Sequence, residues 1–213
     1  MQIKELILKT TSIARTKLFY HKTLELEILK ESDEAISFAA GKTVLTFEAT
    51  TEGKPYYHFA FNIINNKFSD GYEWIDNKLD ILMPENGLPI VPYPDWNAQS
   101  FYFYDNNGSI LEFIARFDLP YQSAEPFSTA CITEISEIGI VTGNVEATSA
   151  NLEKEHHIPY FAKGPRLSDF IPMGDDYGLL LVFQDKKGWM PTHKPAHIFP
   201  LTVVLEDGQT IKT

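Results

Sequence analysis

The sequence predicts a mixed α+β chain of repeated strand-helix-strand-strand-strand (βαβββ) units, and two observations carry that prediction. Glu5-Leu-Ile-Leu-Lys-Thr, His58-Phe-Ala-Phe-Asn-Ile and Glu137-Ile-Gly-Ile-Val-Thr align without a gap, which gives Glu5, His58 and Glu137 one position in three repeats. Each of the first two stretches leads into apolar residues at helical spacing and then into extended runs that close on Leu45-Thr46-Phe47 or Leu111-Glu112-Phe113. Leu181-Val182-Phe183 is the third counterpart. Two paired modules over 1–118 (1–50 and 55–118) and a third, incomplete module over 127–213 follow from this alignment.

The first unit opens with residues 3–10, rich in branched side chains as strands are. Thr11-Ser12 offers an N-cap, and Ile13, Lys17, Leu18 and Phe19 carry a helix to about Thr23. Strands around 25–30 and 35–39 follow, Gly41-Lys42 turns the chain, and 44–48 closes the unit. In the second unit residues 56–63 alternate, with Tyr57, Phe59, Phe61 and Ile63 on one face and His58 on the other. Phe68, Tyr72, Trp74, Ile75 and Leu79 mark its helix, starting near Asn65-Asn66. Pro84, Pro89, Pro92 and Pro94 then punctuate a long loop with an extended piece at 88–91, the segment best suited to cover a ligand. Residues 100–104 and 109–116 alternate again, joined by the hairpin turn Asp105-Asn-Asn-Gly108.

Residues 120–126 read as a linker. The third unit has a strand at 132–142, a helix capped by Asn144, a return at Ile158-Pro159-Tyr160 and a final strand at 178–183. The apolar stretch 198–205 has no helix after it. Its edge needs cover, so it is expected to join the third module's sheet, within the chain or across a homodimer.

The chain has 213 residues, 44% of them hydrophobic, enough for a sizeable core. A net charge of -11 leaves no basic surface for a phosphate backbone, so nucleic acid is excluded as a partner. The lone Cys131 excludes an intrachain disulfide framework and a multi-cysteine zinc site and fits a reducing cytoplasm. No apolar run reaches the roughly 20 residues that span a bilayer, and a cytoplasmic location with no membrane association is expected.

On these residues the chain resembles the vicinal oxygen chelate superfamily of glyoxalases, extradiol dioxygenases and bleomycin-resistance proteins. The repeated units, the histidine in a first strand and Phe101-Tyr-Phe-Tyr-Asp105-Asn-Asn-Gly108-Ser-Ile-Leu-Glu112-Phe carry the resemblance. Met173-Gly-Asp-Asp-Tyr-Gly-Leu-Leu-Leu-Val-Phe183 and Gly188-Trp-Met-Pro191 extend it more weakly into the third unit. The resemblance implies two modules paired into a U-shaped sheet whose concave face holds a divalent metal, with ligand positions here at Glu5, Thr46, His58 and Glu112. Thr46 departs from the carboxylate of the glyoxalase-type pattern, and Glu5 departs from the histidine of the dioxygenase-type one. His58, Glu112 and Glu5 remain as metal ligands, suited to manganese, iron(II), nickel or zinc, with Glu112 or Glu5 as the proton-moving carboxylate. Glu137 and Val182 occupy the third unit's positions, which leaves that unit a structural role.

Two functions compete on this reading. One is a glyoxalase- or dioxygenase-like enzyme, whether lyase, isomerase or ring-cleaving, that binds a small substrate through vicinal oxygens. The other is a metal-free protein that sequesters a small molecule in a cleft lined by Tyr56, Trp96, Tyr102, Tyr104 and Thr46. Plain structural roles stand beside these. His58 and Glu112 also fit a satisfied buried pair, Glu5 fits a solvated charge beside Lys4 and Lys9, and His156-His157 fits a helix C-terminus. His193 and His197 flank Pro195, which breaks any helical two-histidine site.

Overall fold

The computed structural model describes residues 1–213. The first repeat runs β1 (Ile3–Thr10), α1 (Ile13–Lys17), β2 (Ile28–Glu31), β3 (Ala35–Ala40) and β4 (Thr43–Ala49). The Ser12 side chain caps α1 by accepting from the Arg15 amide, and Leu18–Thr23 continues it as a π-helix. The second repeat comprises β5 (His58–Ile63), α2 (Phe68–Asp76), β6 (Ile81–Leu82), β7 (Val91–Tyr93), β8 (Ala98–Tyr104) and β9 (Ile110–Arg116). The third comprises β10 (Ile132–Thr142), α3 (Val145–His156), β11 (Phe170–Asp175) and β12 (Gly178–Gln184). Asn144 caps α3 by accepting from Ala147 N–H. A small ribbon of β13 (Gly188–Trp189) and β14 (Lys194–Pro195) follows, then β15 (Thr202–Leu205) and β16 (Thr210–Lys212). No helix is long and apolar enough to cross a membrane.

Within every repeat the first strand pairs in parallel with the last at the same offset. Glu5 lies opposite Val44, His58 opposite Ile110 and Glu137 opposite Leu179. The three residues therefore hold equivalent places, as their alignment predicts.

Two repeats do pair into one sheet, but they are the second and third rather than the first and second. The larger sheet has the order β11-β12-β10-β5-β9-β8-β6, with β7 also on β8, and β10 runs antiparallel to β5 at its centre. The reason lies in the strands themselves. Every residue of β5 is buried, as a central strand covered on both faces requires, whereas β1 leaves Lys4 exposed and Glu5, Ile7 and Lys9 half-buried.

The C-terminal strand also goes elsewhere than expected. β15 pairs antiparallel with β1 of the same chain, and β16 pairs with β15, giving the six-stranded order β16-β15-β1-β4-β3-β2. With β5 committed to β10, the edge of β1 is the one left to be covered, and the tail covers it without a second chain. Sequence periodicity misses β11 because Pro172 and Gly174 interrupt it. It also overextends α2, which stops at Asp76.

The two sheets share one core. Leu6, Phe38 and Phe47 from the smaller sheet join Phe59, Phe61, Phe113 and Ile138 from the larger. The turn before β4 fixes their approach: Lys42 N–H donates to Thr133 O at 2.8 Å, while the Thr43 hydroxyl donates to Ile3 O at 2.7 Å and accepts from Ile135 N–H at 3.0 Å. The opposite face of the larger sheet carries His58, Glu112 and Leu181, and it is there that a cavity opens.

Candidate functional site

His58 begins β5, Glu112 lies in β9 and Glu137 in β10, so three neighbouring central strands aim one polar side chain each at a common point. One ligand atom from each residue lies within 4.8 Å of the other two, and all three residues are buried. His58 Nδ1 is 3.1 Å from the Ile110 carbonyl oxygen, to which it can only donate, and this leaves the Nε2 lone pair free. Nε2 is 3.6 Å from Glu112 Oε2, too far for a hydrogen bond. Burial pushes the imidazole down to about 4, so it is neutral at pH 7.

Burial pushes Glu112 well above the usual carboxylate range, and the nearby Glu137 adds to this while Arg116 opposes it. Burial likewise raises Glu137, against the pull of Arg116, whose Nη2 donates to Glu137 Oε1. Arg116 is itself buried, lies 3.5 Å from Asp176, and supplies the compensating charge beneath the site.

Above these groups is a cavity of about 380 Å³. Its walls include Tyr93, Trp96, Tyr102, Phe183 and Trp189, and the Tyr93 and Tyr102 hydroxyls hydrogen-bond each other. Trp189 reaches in from the β13–β14 ribbon to within 4.9 Å, ring centre to ring centre, of His58.

Comparison with solved structures gives this geometry a context. A Bacillus subtilis protein assigned to the dioxygenases superposes over 86% of this chain and 63% of its own, at 14% identity and a TM-score of 0.62. Glyoxalase I from Zea mays superposes over 86% of this chain and 66% of its own, at 12% identity and a TM-score of 0.54. The fold is that of the vicinal oxygen chelate superfamily. The chain spans about two-thirds of the length of these two relatives. No protein-family model matches the sequence, and no curated protein matches it.

In a vicinal oxygen chelate fold the first and last strands of the paired modules frame the concave face, and four positions here follow from register. They are His58, Glu112, Glu137 and Leu181: Ala60 faces Glu112 across β5 and β9, and Gly139 faces Leu181 across β10 and β12. The fourth position is thus Leu181, which lines the cavity, and not the adjacent Val182, which packs into the core. Glu5 and Thr46 keep the equivalent relation in the first repeat, but in the other sheet. There the Thr46 hydroxyl donates to Glu5 Oε1 at 2.8 Å and lies 2.9 Å from Ser37 Oγ. Glu5 therefore does not meet His58 and Glu112, and Glu137 takes the place expected of it.

Trp96 and Tyr102 line the cavity, while Tyr56 and Tyr104 do not. Tyr56 donates to Pro195 O at 2.6 Å, and Tyr104 lies opposite Ile110 in the β8–β9 hairpin and packs against the cluster of Tyr102, Ile110, Trp189 and Ala196. Glu137 was visible in sequence as the positional equal of His58. Trp189 had no such signal, because a ribbon following the last strand of a repeat belongs to no repeated position.

Proposed function

We propose that the protein is a divalent-metal-dependent enzyme of the glyoxalase and dioxygenase type, acting on a small substrate through adjacent oxygen atoms. The convergence of His58 Nε2, Glu112 and Glu137 carries this reading. The donor set fits a metal: the Ile110 carbonyl fixes the tautomer that leaves Nε2 unprotonated, and two buried carboxylates stand beside it with one arginine, Arg116, which pairs with Glu137 and leaves Glu112 without a cationic partner of its own. One imidazole and two carboxylates suit manganese, iron(II), nickel or zinc. Bound there, such an ion supplies Lewis acidity toward two neighbouring substrate oxygens.

The chain's own residues do the rest. Arg116 holds one oxygen of Glu137 and so fixes that carboxylate's orientation. The aromatic walls exclude water, which strengthens every polar interaction at the floor. Whichever of Glu112 and Glu137 retains a free oxygen is placed to take a proton from the substrate or return it.

A second reading, a metal-free protein that sequesters a small aromatic compound, draws on two features of the same site. Arg116 already compensates Glu137, and Leu181 offers no ligand in the fourth position. Elemental analysis of untagged protein, with His58→Ala and Glu112→Ala, separates the two. The enzyme reading expects about one equivalent of metal, lost in both variants. A wild type that is metal-free and ignores added manganese, iron, nickel and zinc would leave sequestration as the function.

A further inference from the structure

Beneath the candidate site a line of alternating charges runs outward to the surface through Glu137, Arg116, Asp176, Lys163 and Asp118. Arg116 Nη2 donates to Glu137 Oε1, while on its other side Nη1 is 3.5 Å from Oδ1 of Asp176, in the turn between β11 and β12. Lys163 Nζ lies 2.5 Å from the second Asp176 oxygen, Oδ2, and 2.8 Å from Asp118 Oδ2. Arg116 is buried, Asp176 and Lys163 are half-buried and Asp118 is exposed.

The two sides of the Arg116 guanidinium are not equivalent. Nη2 is bonded, whereas Nη1 and Nε make no hydrogen bond, and Asp176 Oδ1, the atom that Nη1 faces, makes none either. Donor and acceptor thus stand opposite each other unused, where a bond between them would satisfy both. Charge balance says when that bond is needed. With both carboxylates ionised, Glu112, Glu137 and Arg116 leave one net negative charge at the floor, which a divalent cation would turn into one positive charge. An uncompensated charge in a buried site is costly. Asp176 supplies the missing negative charge, and Lys163 and Asp118 cancel each other farther out.

We infer that Asp176 is a positioning residue for metal uptake, the second counter-ion that takes over the charge of Arg116 when a divalent cation claims Glu137. This rests on the proposed function, because it needs a cation at Glu137. Asp176 does not line the cavity and acts only through Arg116.

The test is calorimetric titration of the full chain, first stripped of metal by a chelator, with manganese and separately with zinc. Asp176→Asn should weaken binding about tenfold or more, the usual effect of removing a group behind a ligand, and Asp176→Glu should restore most of the loss. Added to Arg116→Met, Asp176→Asn should change nothing further, since the residue through which it acts is gone. Metal-free Asp176→Asn should melt near the wild-type temperature, because Glu137 then still holds Arg116. If Arg116→Met does not fold, the contrast between Asp176→Asn and Asp176→Glu decides. Unchanged affinity in Asp176→Asn, no rescue by Asp176→Glu, an equal loss with and without Arg116, or a metal-free Asp176→Asn that melts well below wild type would overturn the inference and leave the metal site standing. A wild type that takes up neither ion would also overturn it, and the enzyme reading falls as well only when iron and nickel are refused too.

Discussion

Glu5 and Glu137 hold equivalent places in two repeats, and their surroundings alone separate a surface acid from a candidate ligand. Glu137 is buried beside His58, Glu112 and Arg116, whereas half-buried Glu5 accepts from Thr46 in the other sheet. Glu137→Gln should therefore abolish metal binding and Glu5→Gln should leave the stoichiometry unchanged, as read by elemental analysis after dialysis against manganese. Equal loss in both would contradict the site. A second residue-scale expectation concerns Asp105, which accepts from Tyr20 OH at 2.8 Å and from the amides of Asn107 and Ser109 at 2.8 and 2.7 Å. Burial raises its carboxyl above the ordinary value of 3.8 despite those bonds. The folded state then holds this proton more tightly than the unfolded chain. The group's contribution to stability is full below its ordinary value and is lost as pH rises through the raised one. Urea unfolding of wild type and Asp105→Asn between pH 3.5 and 7 should give a stability difference that shifts against the wild type as pH rises; a shift in its favour would reverse the assignment. At this scale the sequence reveals His58 and Glu112 through alternation and Glu137 through alignment. It does not reveal which carboxylate joins them, because that depends on strand pairing far apart in the chain.

At the scale of elements, β5 and β9 were legible through their apolar alternation, and Ser12 and Asn144 cap the helices they precede. β10 was legible through its alignment with β1 and β5, since its core residues Ile132, Ile135, Ile138 and Ile140 change parity where its register against β5 shifts. Weakly periodic pieces were not. β6 and β13 contribute two residues each, and β11 is broken by Pro172 and Gly174. The turn between β3 and β4 shows what sequence could mark only as a turn. Gly41 has φ +61°, and a Cβ there would lie 2.1 Å from Thr133 O in β10, so this glycine lets the two sheets touch. Gly53 has φ +67° with nothing within 4 Å. Gly41→Ala should cost at least ~3 kcal/mol, combining left-handed strain with a backbone clash, while Gly53→Ala should cost about 1 kcal/mol from strain alone. Denaturant melts of the two variants measure the gap; equal costs would mean that the sheets separate freely at this turn.

For the whole molecule, the exchange of partners among repeats decides what the tail does. The second and third repeats form the sheet that carries the cavity, so the first repeat has no module to pair with, and β15 and β16 take that position against β1. The tail is also tied down from the side: Tyr57 OH donates to Pro200 O at 2.8 Å and accepts from Lys9 N–H at 3.1 Å. Leu201, Val203, Leu205 and Ile211 enter the common core. Burying four such side chains contributes roughly 6–12 kcal/mol, comparable to the entire stability of a typical domain. Deleting residues 196–213 should therefore do more than lower the melting point. It would strip those side chains from the core and bare the edge of β1, a strand of branched residues with unpaired amides and carbonyls, and the product should collect as insoluble aggregate. Deleting residues 206–213 removes β16 but keeps β15 on β1, and that protein should remain soluble with a lowered melting temperature. Size-exclusion chromatography of both truncations decides the matter, and a monomeric 1–195 fragment with a cooperative melt near that of the full chain would show that β1 needs no cover.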